Sequence, residues 1–297
     1  MYQKLNKGIL ASLRDIVGPQ HLTTGKEDLE DYARDEGALA PIFPEAVVKP
    51  ASAEEIAAIL QFANRERFPV VPRGAGTGVT GGALALYGGV VVSLERMNRL
   101  REIDRDNLMA VVEPGIITGD LHRAVEEEDL FYPPDPASLE SCSLGGNLAE
   151  DAGGPRAVKY GVTRDYVTGV EAVLPDGKII RYGGKLVKNA TGYNLLQLLI
   201  GSEGTLGIIT EITVRLLSRP RLRVDLLVPF SSYQSAVNCV AAIIRARLTP
   251  AAIEFMDQKC LSISREVLED ALAVPEAAPN GPPYPTRRPV PMPMSML

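Results

Sequence analysis

The stretch Pro72-Arg73-Gly74-Ala75-Gly76-Thr77-Gly78-Val79-Thr80-Gly81-Gly82-Ala83 constrains this chain more than any other, because five of its twelve residues are glycine. Glycine at that density loses backbone entropy on folding and adds nothing to a core. A chain keeps it where the backbone turns tightly or another group comes close. Successive N–H groups in such a loop form an anion-binding concavity. The stretch therefore reads as a phosphate or pyrophosphate cradle with Arg73 at its edge, or as a ligand-free surface turn. A P-loop would close on Gly-Lys-Ser/Thr, which the chain lacks. The spacing of Gly76, Gly78 and Gly81 matches G-x-G-x-x-G, a fingerprint that needs a strand before it and a helix after it. Val70-Val71 supplies the strand. Only Ala83-Leu84-Ala85-Leu86-Tyr87 then precedes Gly88-Gly89 and a new strand, Val90-Val91-Val92, which is too short for the usual helical crossover. A flavin loop of another architecture is the third option.

The length of 297 residues suits one large domain or two smaller ones. A net charge of −6 argues against a nucleic-acid surface, which needs clustered Lys and Arg. Three separated cysteines, Cys142, Cys239 and Cys260, point to a reducing compartment and to neither a disulfide framework nor a zinc site. With only His21 and His122, a histidine-rich metal site has few candidates, and no metal is expected. No signal peptide and no apolar run of membrane-spanning length is expected.

Around the glycine loop the periodicities are local. Leu5, Ile9, Leu13 and Ile16-Val17 predict a helix over 4–17 that Gly18-Pro19 ends. Residues 20–45 read as a polar lead-in. Ala46-Val47-Val48, a helix opened by a Ser52–Glu55 capping box, and Val70-Val71 predict a β-α-β unit. Strands are expected at 90–94 and 110–113, and a helix from Thr118. His122 on that helix has no ligand-spaced partner and reads as structural in preference to catalytic.

A second unusual stretch runs from Pro133-Pro134-Asp135-Pro136-Ala137-Ser138 through Ser141-Cys142-Ser143-Leu144-Gly145-Gly146-Asn147 to Ala152-Gly153-Gly154. It reads as a long loop with little to pack. Unstructured loops of that length in compact domains are usually functional, although a plain surface connection is the alternative. Residues 166–174 and 178–182 flank Pro175-Asp176-Gly177 as a β-hairpin. A short helix over 192–200, a third small-residue loop at 201–207 and a strand over 208–216 follow. Beyond Pro220, strands at 223–228 and 252–256 flank a helix capped by Ser231 and Gln234. Leu261 to Leu272 suggests another helix. Eight prolines in the last 23 residues predict a disordered or polyproline-like tail.

Arg73-Gly74-Ala75-Gly76-Thr77-Gly78 with Gly81-Gly82-Ala83, the 133–154 stretch, Lys159-Tyr160-Gly161-Val162-Thr163-Arg164-Asp165 and Gly201-Ser202-Glu203-Gly204-Thr205-Leu206-Gly207-Ile208 occur in one order. Together they resemble the FAD-binding domain of the vanillyl-alcohol oxidase / p-cresol methylhydroxylase superfamily. Within it, they are most similar to the branch of the glycolate oxidase flavin subunit and the D-lactate and D-2-hydroxyglutarate dehydrogenases. The resemblance runs over about residues 40–255. It implies an α+β fold: a helical lead-in (1–41), a PCMH-type FAD-binding domain (42–219) with subdomains near 45–103 and 104–217, an incomplete α/β cap (220–272) and the tail (273–297).

The resemblance also implies the site. Arg73, Gly74, Ala75, Gly76, Thr77 and Gly78, with Gly81 and Gly82, would hold the pyrophosphate. Pro134, Asp135, Pro136, Ala137 and Ser138, with Cys142, Ser143, Gly145, Gly146, Asn147, Ala149, Gly153, Gly154 and Gly161, would line the isoalloxazine and ribityl side. Glu203, Gly204 and Ile208 would contact FAD from the third loop. Many relatives bond the flavin to a histidine in the first loop; Thr77 stands there, so non-covalent FAD is expected. Cys142 lies where some relatives carry a flavin-linking cysteine, or is a plain small core residue. No catalytic base can be assigned; Lys188 and Glu203 are charged residues near the loops and serve equally well as solvated ones.

The activity implied is oxidation of a D-2-hydroxy acid, glycolate or D-lactate, by hydride transfer to FAD. Electrons would leave to another acceptor, such as iron–sulfur and second flavin-type subunits of a glycolate oxidase complex. The expected location is cytoplasmic, or at the membrane through those subunits. The missing cap histidines and the proline tail are expected of a truncated or frame-shifted member, or of an internal natural fragment. Two other readings stand beside this one: a flavin-binding chain without turnover, and a nucleotide-sugar or phosphate binder without redox chemistry.

Overall fold

The computed structural model describes residues 2–37 and 39–267. The first periodic stretch forms α1 (Lys7–Val17), which Asn6 caps by accepting from the N–H groups of Gly8 and Ile9. Its buried face is Ile9, Leu13 and Val17. The polar lead-in is more ordered than its composition suggested. Leu22–Thr23 form β1, which pairs antiparallel with β2 (Ala46–Val48) and extends the first sheet. Ser52 caps α2 (Ala53–Glu66) by accepting from Glu55 N–H at 3.2 Å. The Glu55 carboxylate reaches back one residue further than a strict capping box, to Ala51 N–H.

Next come β3 (Val70–Arg73) and β4 (Val90–Ser93). The sheet order is β1-β2-β4-β3, with β2 and β3 both parallel to β4. Val90, Val91 and Val92 are fully buried, as a central parallel strand requires. The parallel neighbours β3 and β4 are joined by residues 74–89, and no helix forms there. That removes the crossover helix of a dinucleotide fold and leaves the glycine loop at the C-terminal end of an edge strand.

The remaining elements of this unit are β5 (Leu100–Asp104), β6 (Met109–Val112), α3 (Thr118–Glu126), β7 (Leu130–Phe131), α4 (Leu144–Glu150), α5 (Ala157–Tyr160), β8 (Val167–Val173), β9 (Ile179–Gly183), α6 (Leu195–Leu199), β10 (Ile208–Arg215) and β11 (Leu217–Ser218). Five of these strands make an antiparallel sheet in the order β5-β6-β10-β8-β9, and β7 pairs separately with β11. β5 therefore belongs to the second sheet, and the first closes at Ser93. Two main cores follow: one joins α1, α2 and β4, and the other packs α3 and α4 on β6, β8 and β10.

A second compact unit begins at Pro220. It holds α7 (Tyr233–Arg245) and α8 (Gln258–Val267). The cap of α7 is Ser232, which accepts from Ser235 N–H, one residue beyond the predicted Ser231. The strands expected at 223–228 and 252–256 do not form. Strands need a ladder partner, and Val224, Leu226, Leu227 and Val228 are exposed. The end of the helix expected over 261–272 and the proline-rich tail lie outside the described residues.

Candidate functional site

Three separate stretches meet at one open cleft within the first unit. The first wall is the glycine loop, contributing Arg73, Gly74, Ala75, Gly76, Thr77, Gly78 and Gly82. Arg73 is 7% exposed. Its Nη2 donates to the Asp31 carbonyl at 2.9 Å, and its guanidinium lies over the Tyr32 ring. Nη1 is buried without a hydrogen-bond partner. Burial pulls the Arg73 pKa down, against the opposing pull of Tyr32, Asp35, Asp31 and Glu95. An arginine does not discharge at neutral pH, so a cation is buried in the cleft wall. Gly76 sits directly on it: φ is +78°, and a Cβ there would overlap the guanidinium. Among the described residues, the N–H groups of Gly76, Thr77 and Gly78 donate to no protein acceptor.

The second wall contributes Pro136, Ser138, Ser143, Gly145, Gly146, Asn147 and Ala149. Here the long loop of the sequence contains α4. Leu144 and Leu148 are fully buried, so this stretch has core to pack after all. Ser143 Oγ caps the helix by accepting from Gly146 N–H and also accepts from Ala75 N–H at 3.2 Å, which ties the second wall to the glycine loop. Asn147 is oriented by Thr118: its Nδ2 donates to Thr118 Oγ1 at 2.7 Å.

Glu203 and Gly204 from the third loop, with Ile208 at the start of β10, also line the cleft. Thr80 donates to Glu203 Oε2 at 3.2 Å, binding this loop to the first. Residues that sequence reasoning missed also line the cleft, among them Pro72, Leu94, Glu150, Leu199 and Ser202. Leu94 follows β4 directly, and only the sheet order reveals that it sits beside Arg73. Partial desolvation raises the Glu150 carboxyl pKa, and the charges of Glu203 and Asp35 add to the effect.

Eight expected residues do not line the cleft, and each has another local role or neighbour. Gly81 N–H donates to Asp35. The Pro134 carbonyl accepts from His122 Nε2 at 2.9 Å. Asp135 pairs with Arg156, and Gly154 lies against the Asp135 backbone. Ala137 adjoins the two lining residues Pro136 and Ser138. Gly153 packs near Val162, and Gly161 ends α5 beside Asp165. Cys142 is 2% exposed, and its thiol donates to Thr118 Oγ1 at 3.4 Å. Lys188, weighed as a charged neighbour of the loops, is exposed and does not line the cleft. Among the described residues no cluster of His, Cys, Asp and Glu could hold a metal ion.

An anion cradle of free N–H groups, a buried cation beside it and a cleft walled by small residues fit a phosphate-bearing cofactor. Residues 44–183 match the FAD binding domain family, and residues 219–286 match the family of FAD linked oxidases, C-terminal domain. The chain is thus similar to FAD-linked oxidases across two consecutive domains.

It is 44% identical over 259 residues to glycolate oxidase subunit GlcD of Bacillus subtilis (strain 168), covering 87% of this chain and 55% of that one. To a D-lactate dehydrogenase of Archaeoglobus fulgidus it is 46% identical over 221 residues, 74% of this chain and 49% of the relative. The chain thus spans about half the length of the curated relatives it matches. The structure of p-cresol methylhydroxylase with substrate bound superposes with a TM-score of 0.70 at 20% identity, over 83% of this chain and 51% of that one, and shares the fold.

Proposed function

We propose that this chain is the FAD-holding part of a dehydrogenase that oxidises a D-2-hydroxy acid of the glycolate or D-lactate class. The observation that carries the reading is the glycine loop at the cleft: among the described residues its Gly76, Thr77 and Gly78 N–H groups have no protein acceptor, and Gly76 packs on the buried Arg73 guanidinium. Arg73 and the N–H groups of Gly76, Thr77 and Gly78 would hold the pyrophosphate. Pro136, Ser138, Ser143, Gly145, Gly146, Asn147, Gly204 and Ile208 would line the rest of the cofactor. FAD, when bound, supplies the hydride acceptor; the chain orients it and excludes water. The flavin is held without a covalent bond. Thr77 is an alcohol, and the Cys142 thiol is turned into a buried contact with Thr118. Two relatives bear the names of a glycolate oxidase subunit and a D-lactate dehydrogenase, and these support the substrate class. Electrons would pass to an iron–sulfur or second flavin-type subunit, in the cytoplasm or at a membrane reached through such partners. Among the described residues no helix is long and apolar enough to cross a membrane.

A second reading, flavin binding without turnover by this chain alone, is favoured by the second unit. Among its described residues it has no strand, and both histidines lie outside it. Titration of the purified chain with FAD, read by quenching of flavin fluorescence, tests the binding. Arg73→Met keeps the apolar stem and removes the charge; it should weaken FAD at least about tenfold. Anaerobic addition of glycolate or D-lactate then distinguishes the readings. Bleaching of the flavin supports the dehydrogenase, bound but unbleached flavin supports the second reading, and a chain that takes up ADP but no FAD overturns both.

A further inference from the structure

Residues 31–37 precede the stretch that matches the FAD binding domain, which begins at residue 44. They carry no periodic pattern, yet they lie along the glycine loop. The Asp31 carbonyl and the Tyr32 ring hold Arg73. Glu36 N–H donates to the Gly78 carbonyl at 3.0 Å. Asp35 Oδ2 accepts from Gly81 N–H at 2.8 Å, while Oδ1 accepts from Gly37 N–H at 3.0 Å. Gly37 itself lies so close to the Val79 carbonyl that a Cβ would stand 2.9 Å from it. The segment is in turn fastened down. Leu29 and Ala33 are buried, Ile42 N–H donates to the Ala33 carbonyl at 2.8 Å, and Tyr32 Oη donates to Glu95 at 2.8 Å.

We propose that residues 31–37 are a strap that preorganises the glycine loop for FAD, with Asp35 as its positioning residue. The proposal rests on the FAD reading above. A loop with five glycines samples many conformations, and only those with converging N–H groups bind an anion well. A carboxylate beside an anion cradle repels the anion, so attraction does not explain Asp35. Its two oxygens are both committed to N–H groups, one in the strap and one in the loop. Charge-assisted bonds of this kind are among the stronger ones available.

The test compares Asp35→Ala and Asp35→Asn in the full chain, with two readouts. Amide hydrogen exchange over residues 74–82, measured without cofactor, should quicken in Asp35→Ala while α2 and β4 keep their protection. Affinity for FAD and for ADP, which both carry the pyrophosphate, should fall about tenfold. Riboflavin, which lacks it, should be unaffected. Asp35→Asn retains one acceptor oxygen and should fall between; it decides the matter if Asp35→Ala does not fold. Unchanged exchange over 74–82 in the folded variant overturns the strap. So does a loss of riboflavin affinity equal to that of FAD, or FAD and ADP affinities that do not change. A wild-type chain that takes up no FAD sinks the cofactor reading instead, and the strap then stands or falls on the exchange alone.

Discussion

His122 is buried behind the second wall, where a charge on its ring is costly. Burial is the main reason its pKa falls from 6.5 to about 4; the nearby Arg123 and Arg156 add to this, while the hydrogen bond to Pro134 and the charge of Glu140 oppose it. The neutral ring donates from Nε2 to the Pro134 carbonyl and meets Tyr132 edge-on, with ring centroids 5.6 Å apart. A folded-state pKa below the unfolded one means that the unfolded chain binds the extra proton first. The contribution is therefore complete above about pH 6.5 and is lost as the pH falls towards 4, with a full magnitude of roughly 3 kcal/mol. Urea midpoints measured from pH 7 to 4 should fall more steeply for the wild type than for His122→Gln, which does not titrate. Equal slopes would count against it. The sequence supported a structural histidine because no ligand-spaced partner accompanied it. It could not show that the ring holds the segment carrying Pro136 and Ser138, since Pro134 is twelve residues away and meets it only in the fold.

At the scale of elements, periodicity was legible and context was not. α1, α2, α3, the β8–β9 hairpin and β10 follow from apolar spacing, caps and the Pro175-Asp176-Gly177 turn. α4 does not. Its window contains Gly145-Gly146, each glycine lowering helix propensity by about 1 kcal/mol relative to alanine. Burial of Leu144 and Leu148 and the Ser143 cap override that preference. Ser143→Ala should lower stability by about 1 kcal/mol through the lost cap. It should also weaken FAD, because Ala75 N–H loses its acceptor; a thermal melt and an FAD titration of the same protein check both. β5 escaped notice because its neighbourhood is charged. The fully buried Glu113 accepts from Arg99 and Arg101, and these bonds outweigh the upward push of burial to hold its carboxyl below the ordinary range. The predicted strands at 223–228 and 252–256 erred in the opposite direction, since alternation alone supplies no ladder partner.

At the scale of the whole molecule, the chain divides at Pro220. Arg221 and Arg223 are exposed and outside any ladder, which makes them preferred sites for nicking. Brief trypsin treatment should cut there early and leave a fragment near residues 1–219 that retains FAD; early cuts within α2, β4, β8 or β10 would contradict the assigned core. All the cleft-lining residues precede residue 210, so the cofactor should survive the cut. The amino-acid sequence by itself determined the three small-residue stretches, their order and the absence of a crossover helix after the glycine loop. These are local matters of backbone freedom and chain length. Only the tertiary structure decided which of those residues face the cleft, that Arg73 is buried beneath Gly76, and that residues 31–37 lie against the glycine loop. Each of those depends on atoms tens of residues apart meeting at one place, and no local preference encodes such a meeting.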